Sequence, residues 1–134
     1  MKPIIYLAGP IAGCTDDEAH GWRNETIEEF KDIYEFKNPM VRDFRERSFD
    51  YVKLVEADLA DIKVSSIILI NCWMPSFGSS QEMVYASKIF GKTVITIRPK
   101  PVSPWITYHS TIVVPDLEAA WALLDKPVWR TYHG

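Results

Sequence analysis

The chain has 134 residues, 47% of them hydrophobic and 25% charged, with a formal net charge of −3 at pH 7. That length suffices for one domain, residues 1–134, with a core of its own. The slight acidity excludes a general electrostatic pull toward nucleic acid or anionic membrane, so an anion site would have to be built locally.

The apolar run in "MKPIIYLAGPIAG" is too short for a secretory leader and passes directly into acidic, helix-starting sequence. A cytoplasmic protein is therefore expected. Cys14 and Cys72 are far apart and match no metal or redox spacing; both read as ordinary thiols, and no metal site is expected.

Taken in chain order, "KPIIYLAG" reads as a buried strand ending in a Gly-Pro loop. A helix follows, with Thr15 as its cap, acids in its first turn and Trp22, Ile27 and Phe30 at helical spacing. "KNPMVRDFRERS" is irregular and charged, and is expected to hold a second strand or a loop beside the site. Helical spacing returns through Tyr51, Leu54, Val55, Leu59 and Ile62. "SIILINCW" has the continuous apolar character of a central parallel strand covered on both faces. The loop "PSFGSS" leads into a helix through Met83, Tyr85, Ala86 and Ile89 that Gly91 ends. "KTVITIRP" and "TIVV" complete a set of five strands, and "PDLEAAWALLDK" is a final helix. The aromatic tail "PVWRTYHG" is expected to pack on something, such as a neighbouring subunit.

Alternating strand and helix implies a three-layer α/β fold, Rossmann-like, with a doubly wound, mostly parallel five-stranded sheet. Such sheets place ligands beyond the carboxyl ends of their strands, where three loops should converge: "LAGPIAG", "NCWMPSFGSSQE" and "PKPVSPWITYHS". The first loop is not G-x-G-x-x-G and no P-loop lysine follows it, which argues against a dinucleotide or NTPase site.

Glu82 falls near the first turn of its helix, where exposed N–H groups favour an ionised carboxylate. The competing reading is a simple capping box, Ser79-Ser80-Gln81-Glu82. Asp58 could reach the crevice, yet with Glu56 and Asp61 it also fits a solvated helix face. Tyr6, on the first strand, is expected in the core with its hydroxyl hydrogen-bonded. Trp73 could stack on a base or sugar, or plug the end of the core.

Four pieces, "IYLAGPI", "EADLADIKVSSIIL", "PSFGSSQEMVYASKIFGKTVI" and "SPWITYHSTIV", together resemble the nucleoside 2-deoxyribosyltransferases and their relatives, the deoxynucleoside 5′-monophosphate N-glycosidases. They span most of the chain in the same order. The resemblance implies a flavodoxin-like sheet, a homo-oligomer such as a homodimer with sites near subunit interfaces, and cleavage of an N-glycosidic bond without a cofactor. It implies a small-molecule nucleoside or nucleotide as partner, not a nucleic acid polymer or a membrane.

In the family's "G-x-x-x-E-x-x-x-A" setting, Glu82 matches the catalytic glutamate, while Asp58 matches the aspartate working beside it and Tyr6 the tyrosine that opens the first loop. The substrate-binding positions implied are Gly9, Pro10 and Ile11, then Trp73, Ser76 and Gly78, and finally Ser103 and Ser110. The chemistry would be that of a retaining glycosidase, with Glu82 as nucleophile, Asp58 as proton donor or orienter, and water or a second base as acceptor.

Ser76 stands where nucleoside-specific transferases carry a carboxylate, which leans toward a 5′-monophosphate, with Ser103 from across an interface as a second contact. Against that, Pro10 and Ala12 replace a serine and an arginine of the monophosphate hydrolases, and Ser66 replaces an aspartate. Arg23, Arg42 and Arg45 are substitutes that spacing does not separate. A catalytically idle nucleotide-sensing module is the alternative on the same fold, and a flavin carrier rests on topology alone.

Overall fold

The structure, a computed structural model, describes residues 1–130. Its sheet has five strands, β1 (Ile4–Ala8), β2 (Glu35–Lys37), β3 (Ile67–Asn71), β4 (Thr93–Ile97) and β5 (Ile112–Val114), all parallel, in the order β2-β1-β3-β4-β5. This is the flavodoxin-like order expected of the sequence. Each strand sends alternate residues to opposite faces.

On one face Ile5, Leu7, Ile67, Leu69, Ile95 and Ile97 pack beneath α1 (Trp22–Phe30) and α5 (Leu117–Leu124). On the other, Tyr6, Ala8, Ile68, Ile70 and Val94 pack beneath α2 (Tyr51–Val64) and α3 (Phe77–Val84). Register holds the layers together: Tyr6 lies beside Ile68, which lies beside Val94. A slip of one residue would expose every one of these side chains to the wrong layer.

Local chemistry sets the helix ends. Thr15 and Glu18 exchange hydrogen bonds between side chain and backbone, at 2.9 and 3.2 Å, as a reciprocal capping box. The chain then makes a wide π-helical turn at Asp17–Gly21 before α1. Asp50 caps α2 and Asp116 caps α5. A second π-helical turn, Tyr85–Ile89, prolongs α3 and ends at Gly91, whose φ of 63° suits glycine.

Three details differ from the sequence reading. β2 lies at Glu35–Lys37, ahead of most of the charged stretch expected to hold a second strand or a loop, and that stretch instead forms a 3₁₀ turn, Pro39–Arg42, and loop. "SPWITYH" contains a short helix, α4 (Pro104–His109), because Pro104 sits at its first position and Ser103 caps it. A last short helix, α6 (Pro127–Arg130), brings Trp129 against the chain's own core. The remainder of the aromatic tail, residues 131–134, lies outside the described residues, so subunit packing there stays an expectation. No helix among the described residues is long and apolar enough to cross a membrane.

Candidate active site

The crossover direction reverses between β1 and β3, and the loops leaving their carboxyl ends part to form a cavity of about 680 Å³. That volume falls within the roughly 300–1,000 Å³ of small-molecule sites. Its walls come from Gly9–Ala12 after β1, Met74–Ser76 after β3, the amino-terminal half of α3, and Val55, Asp58 and Leu59 of α2. Phe44 closes it from the segment after β2, a position that sequence reasoning missed because no periodicity marks that segment.

Arg23 explains how the first loop is held. Its guanidinium is fully buried and donates to the carbonyls of Leu7, Gly9 and Ala19 at 3.1, 3.0 and 2.6 Å. Burial lowers its pKa to about 10, still well above neutrality. Gly9 is required for a different reason: a Cβ there would lie 2.9 Å from the Trp22 ring and 3.2 Å from the Asn71 carbonyl. The loop can sit this close to β3 and α1 only without a side chain.

Glu82 lies in the second turn of α3, facing the cavity. Tyr6, fully buried on β1, donates its hydroxyl to Glu82 Oε2 in a short hydrogen bond. Burial pushes the Glu82 carboxyl up to about 7; the Tyr6 bond lowers it, Asp58's charge raises it, and Arg23 and Arg42 lower it. The Tyr6 hydroxyl is itself raised by burial first and by the Glu82 charge second.

These observations correct two expectations. The capping box Ser79–Glu82 does not form, because Ser76 is the cap, its hydroxyl accepting from the Ser79 N–H at 3.3 Å. Nor does the helix dipole set the charge of Glu82: one turn further in, desolvation outweighs it. The Ser79 hydroxyl, in the cavity floor, is buried without a hydrogen-bond partner among the described residues.

Asp58 also lines the cavity, and it is not part of a solvated face. Asp58 and Asp61 are both largely buried and bound by Arg42 of the 3₁₀ turn. Among the three arginines that spacing could not separate, none lines the cavity: Arg23 holds backbone, Arg42 holds the two aspartates, and Arg45 holds Asp43 and Asp16.

The other expected binding residues divide into two groups. Gly9, Pro10, Ile11, Ser76 and Gly78 line the cavity with Glu82 and Asp58. Trp73 packs instead on the small cluster of Cys14, Ala19 and Met40, beside a separate hollow. Ser103 caps α4, and the Ser110 hydroxyl bonds to Thr96 at 2.7 Å and to the Ile106 carbonyl at 2.7 Å. Neither lines the cavity of the single chain. Among the described residues no group of histidine, cysteine and carboxylate side chains could hold a metal.

Fold and cavity together define a flavodoxin-like α/β protein with a desolvated glutamate at its topological switch point. Residues 3–96 match the profile of a family described as a domain of unknown function (DUF4406), and the chain belongs to that family. No curated protein matches it in sequence.

Its fold is similar to that of a 2-deoxyribosyltransferase from Bacillus psychrosaccharolyticus, at 21% identity and a TM-score of 0.68 over 87% of this chain and 89% of the other. It is similar also to a 2-deoxyribosyltransferase from Leishmania mexicana, at 19% identity and a TM-score of 0.69 over 91% and 96%. The Clostridium botulinum CMP N-glycosidase BcmB aligns at 17% identity and a TM-score of 0.61 over 91% and 98%. At these identities the likeness establishes the shared fold.

Proposed function

We propose that the protein cleaves the N-glycosidic bond of a (deoxy)nucleoside or its 5′-monophosphate, with Glu82 as nucleophile. The observation that carries this reading is the Tyr6–Glu82 pair, a carboxylate held by a buried phenol and turned toward a cavity of small-molecule size. The shared fold with two deoxyribosyltransferases and a CMP N-glycosidase supports it.

Ionised Glu82 attacks the anomeric carbon from the face opposite the base. The carbon–nitrogen bond breaks, its electron pair passes to the base nitrogen, and that nitrogen takes up a proton. Water, or a second base, then displaces the glutamate from the glycosyl ester and loses a proton in turn. Tyr6 keeps the attacking oxygen pair oriented and absorbs part of its charge when the ester reverts.

The 5′ group is the finer question. Asp58 and Glu82 are the charged residues lining the cavity, and no basic side chain joins them. A phosphate would therefore be held by the hydroxyls of Ser76 and Ser79 and the N–H groups of Phe77 and Gly78 in α3's first turn. The test is to incubate purified protein with nucleosides and 5′-monophosphates, with and without a second free base, and to separate the products by chromatography. Free base from at least one substrate is expected, and exchange with the added base marks transfer. Release from none of them refutes the activity.

One observation favours a second reading, a nucleotide-sensing module without turnover: the Arg42 ion pair makes Asp58 a poor proton donor. Such a module would show ligand-induced thermal stabilisation with no product.

A further inference from the structure

Arg42 reaches Asp58 from outside the cavity. Its Nε and Nη2 both donate to Asp58 Oδ1, at 3.0 and 2.7 Å, and Nη2 also donates to Asp61 Oδ2 at 2.7 Å. Arg42 itself does not line the cavity, whereas Asp58 does. Within the protein, Asp58 Oδ2 receives no hydrogen bond among the described residues, so one oxygen is clamped and the other is left for whatever fills the cavity.

The clamp joins two elements beside the site: the 3₁₀ turn after β2, which also leads to Phe44, and the middle of α2. It also offsets the repulsion between Asp58 and Asp61, like charges three apart on one helix face. A planar guanidinium suits this fork and a lysine ammonium does so less well.

We propose that Arg42 is a positioning residue that keeps Asp58 fixed and ionised, so that Asp58 serves as a hydrogen-bond acceptor for the bound substrate and not as the acid that protonates the leaving base. An ionised carboxylate has no proton to give and accepts only. The N–H or O–H that meets Asp58 Oδ2 belongs to the nucleoside, and that part of the inference rests on the proposed function; the clamp itself does not.

The charged and titratable groups around Asp58 are Arg42, Asp61 on its own helix, Arg23 from α1, Glu82 from α3 and Tyr6 from β1. Burial raises the Asp58 carboxyl above its ordinary range, the Arg42 bonds and charge work against that rise, and Asp61 adds to it. Taking Arg42 away leaves burial and Asp61 acting on it with less opposition.

The deciding experiment is a carboxyl ¹³C NMR titration of the full chain as wild type, Arg42→Gln and Arg42→Lys, with no ligand present. Wild-type Asp58 should be ionised across neutral pH. Its midpoint should rise by a unit or more in Arg42→Gln, a tenfold change in proton affinity, and by less in Arg42→Lys. A midpoint unmoved in both variants, or a wild-type Asp58 protonated at pH 7, overturns the inference whether or not any nucleoside is cleaved. Should Arg42→Gln fail to fold, Arg42→Lys alone must still show a raised midpoint. On an active substrate, Arg42→Gln should lower kcat ten- to a hundredfold with partial rescue by Arg42→Lys; equal kcat in all three forms also overturns it. Absence of turnover in the wild type counts against the proposed function alone.

Discussion

At the scale of single residues, chemistry depends on how far burial shifts Glu82 and how far Tyr6 brings it back. The Tyr6 hydrogen bond lowers the Glu82 pKa while burial raises it to about 7. Tyr6→Phe should therefore move the acid limb of the kcat/KM–pH profile to higher pH. It should also cost about ten- to a hundredfold at pH 7, since a hydrogen bond to a charged group is worth about 1.5–3 kcal/mol. An unshifted limb would detach Tyr6 from the proposed nucleophile.

The same carboxylate has a consequence for stability. Its folded pKa lies above the ordinary value of 4.5, so the folded state loses stability as pH rises from about 4.5 to about 7 and the buried group ionises. Glu82→Gln removes that cost. It should raise the melting temperature at pH 8 by the equivalent of about 1–3 kcal/mol and have little effect at pH 4.5, as read by calorimetry at the two pH values.

Family resemblance singled out Tyr6 and Glu82 separately, but their pairing was not legible, because no spacing rule joins a strand residue to a helix residue 76 positions away. The Asp58–Arg42 pair shows the same limit. From sequence, Asp58 read as a candidate catalytic residue and Arg42 as one of three candidate phosphate contacts; nothing joined them to each other or to Asp61, and only the 3₁₀ turn brings them within 2.7 Å.

At the scale of elements, apolar patterning carried most of the fold. The continuous apolar run at Ile67–Asn71 and the near-complete burial of β1 both follow from cover on two faces. The exceptions are short pieces whose signal is local hydrogen bonding: the 3₁₀ turn, α4, and the cap of α3, which falls at Ser76 because its hydroxyl accepts from the Ser79 N–H.

The close approach of the first loop to β3 gives a prediction at this scale. Gly9→Ala places a methyl 2.9 Å from Trp22 and 3.2 Å from a backbone carbonyl that cannot retreat. The variant should lose about 1–3 kcal/mol in chemical denaturation and distort the cavity wall it belongs to. Wild-type stability in Gly9→Ala would mean that the loop is looser than its contacts indicate.

At the scale of the whole molecule, the sheet order was legible and the assembly was not. The described surface carries large exposed apolar side chains on one side of the sheet: Tyr51, Val52 and Val55 on α2, Phe77 at the cavity rim, Trp105 and Tyr108 on α4. Phe77, which lines the cavity, is 94% exposed. Association through this side would cover the rim and could bring a partner's Ser103 toward the site. Light scattering after size exclusion is expected to give a mass at least twice that of the 15.4 kDa chain, and a monomer at all concentrations would oppose that reading.

The central claim, that Glu82 breaks an N-glycosidic bond, is met most directly by comparing base release from the same nucleoside and nucleotide set by wild type and Glu82→Ala, with circular dichroism of both. The wild type should release base measurably, the variant should lose at least about a thousandfold, and the two spectra should match. Equal release by the two, from a variant that keeps its fold, would contradict it.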